Sequence, residues 1–255
     1  MMEDNKVFFA SGEDQIMIDA FAKAQETFKY FWRELYWESR RIIPALDMAS
    51  VKVAFTQEFE DDKGETYVEV EHMWIGDIYF DGMYIYGELL NEPNILTNIE
   101  EGESIGVTVD QISDWMFLTE GKSYGGFTVQ AMRSQMSEEE LKEHDTAWGL
   151  DFGDFNNILV AYNQEEHPEN LIEHPMSKNM KESLIEFLDK NPEEITLVDP
   201  DGFTFLHREA IAGNLSTIEI LLAKGADKHI KSEDGKTALE YAQYLKWDHI
   251  IPVLS

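Results

Sequence analysis

Four short stretches carry side chains that could do chemistry. Glu71, His72 and Trp74 place a carboxylate, an imidazole and an indole close together. A histidine so placed could act as a base or as the wall of a ligand pocket. If the stretch is a strand, however, His72 shares a face with Val68, Val70 and Trp74 and reads as a core histidine bonded to backbone. Its removal should then change stability rather than a rate. Ser113-Asp114-Trp115 offers a hydroxyl beside a carboxylate. No glycine elbow surrounds Ser113 and no base is placed by sequence, so turn bonding with Trp115 in the core is the expectation. Gly125-Gly126 lacks the rest of any phosphate loop, opens no expected helix, and reads as a turn or bulge. His167 and His174 stand among acids, each followed by a proline. Their spacing fits neither HExxH nor an i, i+4 ligand pair, so they read as solvated linker residues. The chain has no cysteine, which excludes disulfides, thiolate catalysis and a cysteine zinc site. No catalytic residue, metal site or cofactor is therefore expected, and the chain does not read as an enzyme.

The elements that must position these residues follow from periodicity. Residues 13–41 read as a long helix, with Phe21, Ala24, Phe28, Phe31, Trp32 and Leu35 at three- and four-residue steps. Ser11 is its expected cap, Glu13 and Asp14 its acidic first turn, Arg40 and Arg41 its basic end, and Pro44 its stop. From Ser50 the period becomes two. Strands are expected near 51–55, 66–74, 79–90, 104–109, 115–118 and 127–132, with turns at Asp61 to Gly64, Asp81-Gly82, Glu101-Gly102, Glu120-Gly121 and Gly125-Gly126. Residues 137–148 read as a short helix opened by a Ser137/Glu140 capping box. The fold class is α+β: an N-terminal helix packed on an antiparallel meander, followed by an all-α segment.

That last segment carries an internal repeat. Asp234-Gly235-Lys236-Thr237-Ala238-Leu239 repeats Asp201-Gly202-Phe203-Thr204-Phe205-Leu206 at a spacing of 33 residues. Two short amphipathic helices are implied over 205–212 and 216–223, split by Gly213-Asn214 and closed by Gly225. The period, with D-G-x-T-x-L and L-L-x-x-G-A-D, resembles the ankyrin repeat. Thr204, Leu206, His207, Gly213, Leu221, Leu222, Gly225, Ala226 and Asp227 match its pattern. Phe205 and Ala238 replace the usual proline, Glu209 an alanine, and Glu240 the second histidine. Residues 176–255 would form a degenerate first repeat, one full repeat and a capping repeat. The resemblance gives His207 a structural role, bonded to backbone and to the Thr204 hydroxyl. It also implies a protein-binding surface: Pro200, Asp201, Phe203, Ile211 and Ala212 in one repeat, and Glu233, Asp234, Lys236, Tyr244 and Leu245 in the next.

A second resemblance covers the first part. VKVAF, VEHMWIGDIYFDG, GELLNEP, QISDWMF and GGFTVQAMR occur in this order, and together they resemble the YegJ-like bacterial domain of unknown function. The expected organisation is a YegJ-like domain over 1–154, an acidic linker over 155–175 whose Ile158-Leu159-Val160 patch docks, and the repeats over 176–255.

Net charge bounds the partners. Twenty basic against 51 acidic residues leave −31. Such a surface repels nucleic acid and anionic membranes and favours a basic protein, whose field speeds association. No apolar run approaches a membrane span and the acidic start is no signal peptide, so the cytoplasm is expected. Acidic, cysteine-free proteins with ankyrin repeats resemble immunity proteins of bacterial toxin systems. The reading is thus a protein that binds and neutralises a basic toxin. A scaffold with a ligand-reading first domain, or an enzyme around His72, are the alternatives.

Overall fold

Alternation of apolar and polar residues builds six antiparallel strands: β1 (Met48–Glu60), β2 (Thr66–Phe80), β3 (Tyr84–Leu89), β4 (Ser104–Thr108), β5 (Ile112–Thr119) and β6 (Lys122–Gly125), in the order β4-β3-β2-β1-β5-β6. Helix α1 (Gln15–Glu38) precedes them. Eight more helices follow among the described residues: α2 (Phe127–Arg133), α3 (Glu138–Trp148), α4 (Pro175–Asn179), α5 (Lys181–Lys190), α6 (Phe205–Ala212), α7 (Leu215–Ala223), α8 (Ala238–Tyr244) and α9 (Ile251–Leu254). The class is α+β. The computed structural model describes residues 15–255. The expected Ser11 cap, with Glu13 and Asp14, lies outside them. Helix α1 ends at Glu38, so Arg40 and Arg41 fall in the turn beyond it rather than in its last turn.

Contacts divide the chain into two units. Among the described residues, the first holds 15–28, Leu46–Ile78 and Tyr86–Ile158. Its core gathers Ala24 and Phe28 of α1 with Val51, Val53, Ile75, Trp115 and Phe117 of the strands, all at most 1% exposed. The Trp115 indole donates to the Ala24 carbonyl at 2.9 Å, which ties strand to helix with no polar atom stranded. Met116, Leu118, Val129 and Phe152 form a second apolar cluster.

The second unit holds Lys29–Ala45, Tyr79–Ile85 and Leu159–Ser255. These units cut across the sequence segments 1–154, 155–175 and 176–255. The second half of α1, buried at Phe31, Trp32, Tyr36 and Trp37, and the β2–β3 turn share a unit with the C-terminal helices. Residues 159–175 belong to that unit too, with His167 exposed and both ends of the segment packed. Leu159, Val160 and Ala161 are buried, and so is His174, whose Nδ1 accepts the Met176 N–H and caps α4.

One expected strand is a helix. Residues 127–132 (FTVQAM) have strand-like composition, yet they open α2. Gly125 and Gly126 both take positive φ, 74° and 69°, and turn the chain out of the sheet. Gly126 is the N-cap and has no side chain to satisfy the first amides. The Asp114 carboxylate does so from β5, accepting Phe127 N–H at 2.9 Å and Thr128 N–H at 2.8 Å. Tertiary capping overrides local propensity. The expected strand over 79–90 is interrupted as well. β2 runs on to Phe80, and the Asp81 carboxylate accepts Met83 and Tyr84 N–H to form the turn before β3.

Candidate functional site

The stretches whose side chains could do chemistry are engaged in structural bonds. Glu71 accepts from Asn94 N–H and side chain at 2.8 Å and from Ile95 N–H at 3.1 Å, and so pins the loop after β3. Burial opposes charge there, but these donors prevail and hold the carboxyl below its usual range. His72 is exposed rather than buried, its ring stacked on Phe21 at 5.2 Å. The distal part of the β1–β2 hairpin has no buried face there, as exposed Val68 and Val70 show. Partial cover and then the Lys52 charge hold the imidazole below its usual value. Ser113 donates to the Lys52 carbonyl at 3.2 Å, and Asp114 is saturated by Trp115, Phe127 and Thr128. Burial raises the Asp114 carboxyl while Lys52 and these donors oppose. Lys52 bonds Thr128 Oγ1 at 3.1 Å and stands 4.9 Å from the Trp74 ring centre. Gly125-Gly126 does open a helix, contrary to expectation, but the place an anion would take is filled by Asp114.

In the second unit the two repeated stretches start helices in the same way. At α6, Thr204 N–H donates to His207 Nδ1 at 3.1 Å, and the Thr204 hydroxyl lies 2.8 Å from that nitrogen. Nδ1 is therefore an acceptor, and Nε2–H points to the Lys236 carbonyl at 3.2 Å. At α8, Thr237 N–H donates to Glu240 at 2.7 Å. Glu240 thus does the capping that His207 does one period earlier, which explains a substitution that the sequence pattern leaves as a departure.

The ten residues expected to form a partner surface separate sharply. Pro200, Asp201, Glu233, Asp234 and Tyr244 are exposed and Lys236 is half-buried. Phe203, Ile211, Ala212 and Leu245 are buried, at 3%, 1%, 0% and 8%. These four face their own chain. Arg208 lies over the Phe203 ring at 4.2 Å, and Tyr241 packs at 5.7 Å from it. The β2–β3 turn closes on Ile211 and Tyr241 so tightly that a Cβ at Gly82 (φ 100°) would come within 2.9 Å of both. Trp247 Nε1 donates to the Ile211 carbonyl at 3.0 Å.

The second half of α1 completes this cover. Tyr36 donates to Glu209 Oε1 at 2.5 Å, Arg40 pairs with the same oxygen at 2.9 Å, and Trp37 Nε1 donates to Asn214 at 3.1 Å. Asn214 in turn donates to Glu209 Oε2 at 2.7 Å. Glu209 is fully buried, yet both its oxygens are satisfied. Burial and then the Glu209 charge push the Tyr36 hydroxyl well above its usual value. Sequence reasoning assigned α1 wholly to the first domain and missed Tyr36, Trp37 and Arg40. The signal was present as Glu209 in place of an alanine, a charge needing a partner from elsewhere in the chain. At the exposed tip, Asp201 accepts from Tyr79 and Arg208, both at 2.8 Å. Burial and the Asp201 bond push the Tyr79 hydroxyl up to about 12.

The family model for "Uncharacterized protein conserved in bacteria (DUF2314)" matches residues 14–152, more than half of the chain. The chain belongs to the DUF2314 family. It is 52% identical to a Neisseria meningitidis protein provisionally named an ankyrin repeat protein, over all of this chain and 98% of that one. The chain is also similar to the uncharacterised protein YegJ of Escherichia coli, 37% identical over 98 residues, 38% of this chain and 58% of YegJ. A third relative is the Notch-regulated ankyrin repeat-containing protein of Xenopus tropicalis, 32% identical over 81 residues, 31% of this chain and 71% of the relative. Among the described residues of this DUF2314 protein, no helix is long and apolar enough to cross a membrane.

Proposed function

We propose that this protein binds another protein, that the partner is basic, and that its C-terminal helices form a short ankyrin stack. The observation that carries the reading is the 33-residue repeat, with equivalent capped helix starts at Thr204 and Thr237. The name given to the Neisseria relative supports the same reading. In this stack the inner helix face is occupied by α1, so the partner meets the exposed turn tips instead, Pro200, Asp201, Glu233 and Asp234, together with exposed Tyr244 at the opposite end of α8. A net charge of −31 selects a basic partner by raising the association rate. Neutralising a basic bacterial toxin in the cytoplasm is the form of binding that this charge fits best. Catalysis has no part in the reading, which is supported by the structural use of Glu71, Ser113 and Asp114.

The test is affinity capture from bacterial cells followed by kinetics against the purified partner at several salt concentrations. A basic partner whose association slows with salt is expected. Capture of an acidic partner, or an association rate flat across salt, sinks the reading. Co-expression with a captured toxin should restore growth, and failure to do so removes the neutralising role.

A further inference from the structure

β2 pairs with β1 along its length to Glu60, but β5 pairs only with residues 48–53. Beyond Val53, no strand among the described residues covers the other edge of β1. Two side-chain bonds fix which backbone groups point that way. Ser113 donates to the Lys52 carbonyl and Asn98 to the Thr56 carbonyl, each at 3.2 Å. Lys52 and Thr56 therefore turn away from β2, and the two-residue period puts the backbone groups of Ala54, Glu58 and Glu60 on the same side. Thr56, Glu58 and Glu60 are exposed, whereas Phe55, Gln57 and Phe59 are half-buried. Asn98 already donates to this edge where the amide of a neighbouring strand would.

Charge decides what can add there. The ribbon carries Glu58, Glu60, Asp62, Glu65 and Glu69 against a single Lys63, while Asp61 accepts from its own turn and Glu71 from its loop. Like charges opposite one another destabilise a strand pair, so a second copy of this chain is repelled. A strand of opposite charge is favoured. We propose that the outer edge of β1 over residues 54–60 takes up an extended basic segment of the partner as an added strand. Lysine or arginine on one face of that segment meets Glu58 and Glu60. Apolar residues on its other face lie beside Phe55 and Phe59. This rests on the reading that the partner is a basic protein, and it names a second place where that partner is held.

A synthetic peptide of alternating lysine and valine tests it, with an alternating glutamate–valine peptide as control. Binding to the full-length protein is read by fluorescence anisotropy, and amide exchange by NMR. The basic peptide should bind at low salt and slow exchange at Ala54, Glu58 and Glu60, and the acidic one should not bind. Glu58→Pro deletes one outward N–H but leaves the ladder to β2 intact. It should weaken binding by about tenfold, a loss near 1.4 kcal/mol, beyond the effect of the charge control Glu58→Gln. Basic-peptide binding that leaves these amides unprotected overturns the edge as the site and leaves the basic-partner reading standing. Equal affinities for Glu58→Pro and Glu58→Gln, both folded by circular dichroism, overturn strand addition. No binding of the basic peptide at low salt overturns both readings.

Discussion

Tyr36 donates its hydroxyl to the buried Glu209 carboxylate at 2.5 Å, and Arg40 pairs with the same oxygen. The bond joins the last turns of α1 to α6, so the helices after residue 204 rest on a helix laid down before the first strand. Removing one member of a buried pair strands the other. Glu209→Ala should therefore destabilise by ~3–5 kcal/mol in a urea melt. A double-mutant cycle with Tyr36→Phe should return a coupling of at least ~0.5 kcal/mol. Additive losses would mean that the two groups do not act as a pair.

Asp114 is the cap that α2 lacks at Gly126. Asp114→Ala leaves the Phe127 and Thr128 amides and the Thr128 hydroxyl without acceptors in a dry site. Each unsatisfied buried donor costs ~1–3 kcal/mol, so a loss at the upper end of that range or beyond is expected. Asp114→Asn keeps the shape and one good acceptor and should lose less. If both variants melt with the wild type, the carboxylate does not hold α2.

What the sequence made legible was periodic and local. The stripe of α1, the long hairpin, the Ser137/Glu140 box and α6 all follow from residues within a few positions of each other. What it hid was set at long range. The switch of residues 127–132 from strand to helix depends on a carboxylate 13 residues earlier. The burial of Ile211 depends on the Gly82 turn, far off in sequence, and that of Glu209 on Tyr36 of α1. For the partner surface, the pattern named which positions face inward in a free-standing stack. It carried no information on whether the rest of the chain already lies there.

The loop after β3 should loosen in acid. Glu71 has its folded pKa held below the ordinary 4.5 by the loop donors, with burial opposing. A depressed folded value means that the stabilisation is fully present above the unfolded pKa and is lost as pH falls through the folded one. Amide exchange at Asn94, Ile95 and Leu96 should accordingly be slow at neutral pH and quicken as the pH falls below the ordinary carboxylate range, after correction for intrinsic rates. In Glu71→Gln the acid-dependent step should vanish. A step that survives this substitution belongs to some other carboxylate.

Phe203 and Tyr244 separate packing from recognition. Both are aromatics on the surface that the repeat pattern marks for a partner, but Phe203 is 3% exposed and Tyr244 43%. Phe203 is clasped between Arg208 and Tyr241, so Phe203→Ala opens a cavity and should cost ~3–5 kcal/mol in a denaturant melt. Tyr244→Ala removes a ring that is 43% exposed and should move the melt by less than Phe203→Ala does. Against a captured partner the order should reverse. Exposed aromatics are the usual anchors of an interface and act through dissociation, so Tyr244→Ala should speed it while leaving the salt dependence of association unchanged. Dissociation unaltered in Tyr244→Ala would take the C-terminal end of α8 out of the interface and leave the turn tips and the acidic edge of β1 to hold the partner. A Phe203→Ala protein that melts like the wild type would mean that the ring is not part of the core.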